Sequence, residues 1–185
     1  MHYYHSQQTD KTKENIFYKD IFLIFLYFLG ILSVTERKVI QMVEQDTVKL
    51  LRECDAGVKM GIDSIEKVMP YVKNSQFKNA LNECKDQHNE LDHEIQELLD
   101  KYHDEGKDPA VIAKGMSLIK TNVMLAMDTS DNTVADLMTD GCNMGVKSLN
   151  KYLNQYSAAD EVSKDIAKRL INMEEKLAVD IRSYL

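Results

Sequence analysis

Between residues 77 and 102 the side chains Phe77, Leu81, Cys84, Leu91, Ile95, Leu98 and Tyr102 recur at alternating steps of four and three, and His88 holds the remaining place in that series. Such steps return to one face of an α-helix, so the segment is predicted to be a long helix with a single buried seam. A helix of this kind cannot hide its seam alone and needs partner helices. A histidine inside the seam is either a ligand or a structural polar contact. No other segment carries a nucleophile motif, a phosphate loop or a cofactor signature, so the functional question rests on that residue.

The partner helices are legible at the same spacing. Val48, Leu51, Asp55, Val58, Ile62, Ile65, Met69 and Val72 mark a helix that Asp46 is expected to cap and that Pro70 is expected to end. Asn74 and Ser75 cap the His88 helix, which should run to about His103 before Gly106 stops it. Asp108 followed by Pro109 predicts a shorter helix reaching Met127, broken by the polar run 128–132. A fourth helix places Val134, Leu137, Met138, Cys142, Val146, Leu149, Tyr152, Leu153 and Tyr156 on its buried side. Ser157 and Asp160 have capping-box spacing before a last helix that buries Val162, Ile166, Leu170, Met173, Leu177, Ile181 and Tyr184.

With two prolines and seven glycines in 185 residues, the chain has few helix breakers and room for one well-buried core. The expected fold is all-α: an antiparallel four-helix bundle whose long middle connection, with its own short helix, crosses from end to end. That connection favours a ferritin-like arrangement over a simple up-down-up-down bundle. A net charge of -7 argues against a nucleic-acid partner, which would need a basic face. Cys54, Cys84 and Cys142 all sit inside helical periodicity, as reduced buried thiols of a cytoplasmic protein would.

The first 41 residues differ from the rest. They contain four of the five phenylalanines and an unbroken apolar run at 21–32, while the residues after them carry 18 basic and 26 acidic side chains. The run is shorter than the ~20 residues of a spanning helix. Its Ile, Phe, Tyr, Lys and Leu content is what AT-rich DNA encodes by default, and the residues just before Met42 suit purine-rich codons like those of a ribosome-binding site. We therefore expect translation to start at Met42, with a cleaved signal peptide or a membrane anchor as alternatives. Residues 42–185 are the expected folded domain.

The pattern Leu50-Leu51-x-x-Cys54-Asp55-x-Gly57, with Phe77-x-x-x-Leu81 and Leu149-x-x-Tyr152, makes residues 43–185 resemble the bacterial ferritin-like domain families of unknown function that carry a short extra helix between two helical hairpins. The resemblance implies a site built from one Glu on each of two helices and a Glu-x-x-His on each of the other two. Here the match is poor. The lone Glu-x-x-His, Glu90 to His93, lies ~200° around the helix from the His88 seam and should face solvent. The inward candidates for a metal are His88, Asp55, Cys84 and Glu174, while the fourth helix offers Gly141, Cys142 and Gly145 where an acid would be wanted.

As a structural contact, His88 would hydrogen-bond Asp55 or the Tyr152 hydroxyl. The methionines read as core filler, the cysteines lack an exposed histidine partner, and no Cys-x-x-Cys-His marks covalent haem. The functional expectation is a non-catalytic bundle without a cofactor, acting through self-association as a homo-oligomer or through a helical protein partner at residues 111–127. The alternative is a ferritin-like protein holding one Fe, Mn or Zn ion.

Overall fold

The computed structural model describes the backbone of residues 5–106 and 130–185, and within them the side chains of residues 25, 27–31 and those from 33 onward. Among the described residues four α-helices predominate: α1 His5–Val68, α2 Ser75–Lys101, α3 Asp131–Gln155 and α4 Glu161–Asp180, with 3-10 turns at Met69–Tyr71 and Arg182–Tyr184. There is no strand among the described residues. The chain divides into two compact units, Met1–Met42 and Val43–Leu185.

In the first unit the described side chains of Phe25, Tyr27, Phe28, Ile31 and Val34 are exposed on a helix with apolar groups around its whole circumference. Among the described residues, no helix is long and apolar enough to cross a membrane.

The second unit is the bundle, and hydrogen bonds at its ends define its topology. Asp131, at the start of α3, accepts from the backbone N–H groups of Lys73 and Asn74 at 2.6 and 3.0 Å, so α2 and α3 start at the same end. At the other end, the Asp160 N–H donates to Thr47 Oγ1 at 2.9 Å, and Tyr102 donates to Asp160 Oδ2 at 3.4 Å. The start of α4 therefore lies beside the end of α2 and the early bundle turns of α1. The order is two antiparallel pairs, α1 with α2 and α3 with α4, and the chain leaves one end at residue 106 and resumes at the other at 130. Pro70 stands where α1 gives way to a 3-10 turn, as its missing N–H requires.

Helix caps depart from the sequence reading at two places. Asp46 does not start a helix, because α1 runs through it; its carboxylate accepts from the Ala158 N–H at 3.2 Å instead. Ser157 is not a cap either. Asp160 caps α4, accepting from the Ser163 N–H at 2.8 Å. Asn74 caps α2 through bonds from Gln76 and Phe77, as expected.

The core forms two apolar clusters along the bundle. One gathers Leu50, Leu51, Leu91, Ile95, Ile166 and Leu170; the other gathers Ile65, Phe77, Leu81, Val134, Leu177 and Ile181. On α2 the buried seam passes from the strict repeat to Leu99, which is fully buried while Leu98 is only partly so. A straight helix drifts ~20° per heptad from a four-three repeat, and the three heptads from Phe77 to Leu98 add up to ~60°, enough to hand the position to the next residue. The predicted helix at 108–127 lies outside the described residues.

Candidate functional site

His88 belongs to neither cluster. It sits between Cys84 and Leu91 on α2, and at the same level the other helices carry Gly61 on α1, Gly145 on α3 and Glu174 on α4. All four helices thus interrupt their apolar stripes together, leaving a polar waist between the two apolar clusters. The imidazole is 1 % exposed.

Both ring nitrogens face acceptors. Nδ1–H donates to the Cys84 carbonyl oxygen at 2.8 Å, with Cys84 Sγ 3.5 Å away, and Nε2–H donates to Glu174 Oε1 at 3.3 Å. Two acceptors call for two protons, which only the imidazolium supplies. Burial opposes that charge, but the interactions with Cys84 and Glu174 outweigh it and push the His88 pKa up to about 10. At neutral pH the waist therefore holds an imidazolium–carboxylate pair. Cys142 borders the same carboxylate; burial and then Glu174 push its thiol upward, away from the reactive thiolate. Burial and the nearby Glu53 and Asp55 hold Cys54 at about 12.

Gly61 is what allows the histidine to be there. A Cβ at position 61 would come within 2.6 Å of His88 Nε2 and 2.8 Å of Cδ2, so a side chain on α1 and the ring on α2 exclude each other. A Cβ at Gly145 would meet the Glu174 side chain at an ordinary 3.5 Å, and one at Gly141 would meet nothing within 4 Å. These glycines, with Gly57, line a cleft of about 440 Å³ between α1 and α3, floored by His88 and Glu174 and walled by Met60, Met138, Met144 and Tyr152.

Of the four sequence candidates, Cys84 and Glu174 both reach the His88 ring, Cys84 at Nδ1 and Glu174 at Nε2, and so from opposite edges. Asp55 does not. Its carboxylate is buried elsewhere, accepting from Gln96 Nε2 and pairing with Lys59 Nζ, each at 2.6 Å. Gln96 is eight residues beyond His88, or ~12 Å along α2. Gly106 closes over this second site with φ +80°, where a Cβ would stand 2.7 Å from Asp55 Oδ2. Neither partner expected for His88 is used, because Asp55 lies two turns away and the Tyr152 hydroxyl bonds Glu53. Glu90 and His93 face solvent.

Gly61, against the His88 ring, and Cys142, beside Glu174, belong to this level of the bundle and were not assigned to it from sequence. The available signal was the glycine spacing: Gly57 with Gly61 and Gly141 with Gly145 each put two glycines one turn apart inside a helix, at a cost of ~1 kcal/mol per residue relative to alanine. Among the described residues, no three His, Cys, Asp or Glu side chains converge as a group that could hold a metal ion. Comparison with protein-family models, with curated proteins and with solved structures returns no match to this chain.

Proposed function

We propose that residues 43–185 are a ferritin-like bundle that acts without catalysis, through helix-mediated self-association or contact with a helical protein partner. Two antiparallel hairpins joined end to end support the ferritin-like reading, since that connection distinguishes it from an up-down-up-down bundle. At the level where such a bundle would carry its ligating acids, this chain has two glycines and one ion pair. In this reading the protein works in the cytoplasm.

The association reading takes the first unit as part of the protein, in place of the start at Met42 expected from sequence, and the observation that carries it is the exposed apolar surface on that unit's helix, with Phe25 at 57 %, Tyr27 at 73 % and Phe28 at 62 %. A helix that is apolar all round needs cover. The interface first expected, at residues 111–127, lies outside the described residues. Light scattering on the full chain tests the reading. The wild type should be oligomeric or bound to a helical protein, and the triple substitution Phe25→Lys, Phe28→Lys, Ile31→Lys should yield a monomer. A monomeric wild type with no captured helical partner overturns it, as does a native protein whose peptides begin at Met42 or one that sediments with membranes.

A second reading, one transition-metal ion held by His88 Nε2 and Glu174 and completed by ligands from solvent, draws on the 3.3 Å between those two groups. A metal would take Nε2 from Glu174, leaving Nδ1–H on the Cys84 carbonyl to fix the tautomer. Elemental analysis of protein purified without chelators tests it. Stoichiometric Fe, Mn or Zn that vanishes in His88→Ala would establish it, and metal-free protein would remove it.

A further inference from the structure

The described apolar side chains of the first unit's helix are exposed on every side, but only one face between residues 25 and 42 is free of charge from end to end. On it Phe25, Phe28, Leu32, Thr35, Val39 and Met42 recur at steps of three and four, and the repeat extends back through Ile21 to Tyr18. Such steps keep to one side of a helix, and sustained over more than three heptads they mark a seam that a second helix covers. Its one polar member past Tyr18 is already satisfied, because Thr35 Oγ1 donates to the Ile31 carbonyl oxygen of its own helix at 2.9 Å. Every neighbouring row of side chains is broken by Glu36, Arg37 or Lys38, and the face opposite the seam carries Gly30, Arg37 and Glu44.

The uncovered area is that of an interface. At ~150–250 Å² for a whole aromatic side chain, the exposed parts of Phe25, Tyr27 and Phe28 alone leave about 400 Å² in water. Leu29, Ile31, Val34, Val39, Ile40 and Met42, all roughly half exposed, carry the total past the ~300–600 Å² patch of an ordinary monomer to the ~800 Å² per partner of a standard interface. Among its described residues the first unit holds no second element to cover this surface, and no described helix is long and apolar enough to cross a membrane. Every other copy of the chain brings a helix of the same length with the same seam. We propose that residues 25–42 pair along this seam with the same helix of a second copy, as a two-stranded coiled coil. The seam and its flanks take in Phe25, Phe28, Leu29, Ile31, Val39 and Met42 and leave Tyr27 outside. This pairing names the partner within the association reading above and rests on that reading.

The test is light scattering on the purified full-length chain, with single substitutions at adjacent positions. The wild type should be a dimer. Phe28→Lys puts a charge into the seam and should weaken dimerisation roughly tenfold or more, whereas Tyr27→Lys, equally exposed but off the seam, should change it less than about threefold. Val39→Lys places the same charge in the seam one and a half heptads on, should Phe28→Lys fail to fold. Equal effects of the Phe28 and Tyr27 variants, folded seam variants that dimerise as the wild type does, or a wild type of higher order than a dimer would each overturn the pairing. A monomeric wild type overturns it too. If that monomer captures a different helical protein, the broader association reading stands without this inference; if it captures none, or sediments with membranes, both fall.

Discussion

The bundle buries two charged sites, and they are built on opposite plans. Asp55 is fully buried, yet its partners Lys59 and Gln96 reach toward the surface, with the Lys59 side chain 35 % exposed. His88 is walled in: one partner is the Cys84 carbonyl a turn back on the same helix, the other is Glu174 from across the bundle, and the ring packs where a Cβ at Gly61 would stand. On their helices the two residues look alike, each a polar group in an apolar stripe. What separates them is where the partner goes when the pair is broken. Lys59 can turn into water; His88 cannot.

The comparison is open to direct attack. The largest effect is expected from Glu174→Leu, which strands a buried imidazolium and should cost about 3–5 kcal/mol in urea unfolding at pH 7. A loss no greater than that of Asp55→Ala would show that the two sites are equivalent after all. Next comes Gly61→Ala, which forces a Cβ against the ring and should cost about 1–3 kcal/mol. Most of that loss should disappear in a His88→Ala background, and a purely additive double-mutant cycle would mean the clash is not with His88.

Asp55→Ala follows at about 1–3 kcal/mol, the range for removing one partner of a buried polar contact. The lower end is expected, because Lys59 is already near solvent. The smallest effect has the opposite sign. Gly141→Ala adds a methyl where nothing lies within 4 Å and should stabilise α3 by about 1 kcal/mol, read as a raised urea midpoint.

Titration sharpens the same contrast. The His88 pKa is raised in the folded state, so its contribution is complete below the unfolded value of ~6.5 and is lost as pH climbs through about 10. Urea midpoints should therefore fall between pH 7 and pH 10.5 in the wild type, and fall less in the His88→Leu, Glu174→Leu double variant. Equal slopes would remove the imidazolium from the waist.

Much of the fold could be read along the chain. The α2 stripe, the Asn74 cap and the break at Pro70 are local: they follow from helical periodicity, a side-chain acceptor and a missing N–H. The solvent-facing Glu90 and His93 were equally legible, since ~200° of helical rotation separates them from the seam. The caps assigned to Asp46 and Ser157 failed because their local signals were overridden. Asp46 is held by Ala158, far away in the chain, and Asp160 is itself the residue that a start at Ser157 would have placed inside the helix.

The site was only half visible, for a related reason. Periodicity marks His88, Asp55, Cys84 and Glu174 as inward-facing, but it carries no information on which level of one helix lies beside which level of another. Stripe phase is a property of one helix. Axial register between helices is set by side-chain volumes meeting across the core, and only the folded bundle shows that Gly61 and Glu174 meet His88 while Asp55 sits two turns away with Lys59 and Gln96. The amino-acid order alone therefore determined that this chain buries a histidine in a helical seam. The tertiary structure decided that it is a charged pair at the floor of a cleft, because the space left by a glycine on one helix becomes a site only when another helix brings a side chain to it.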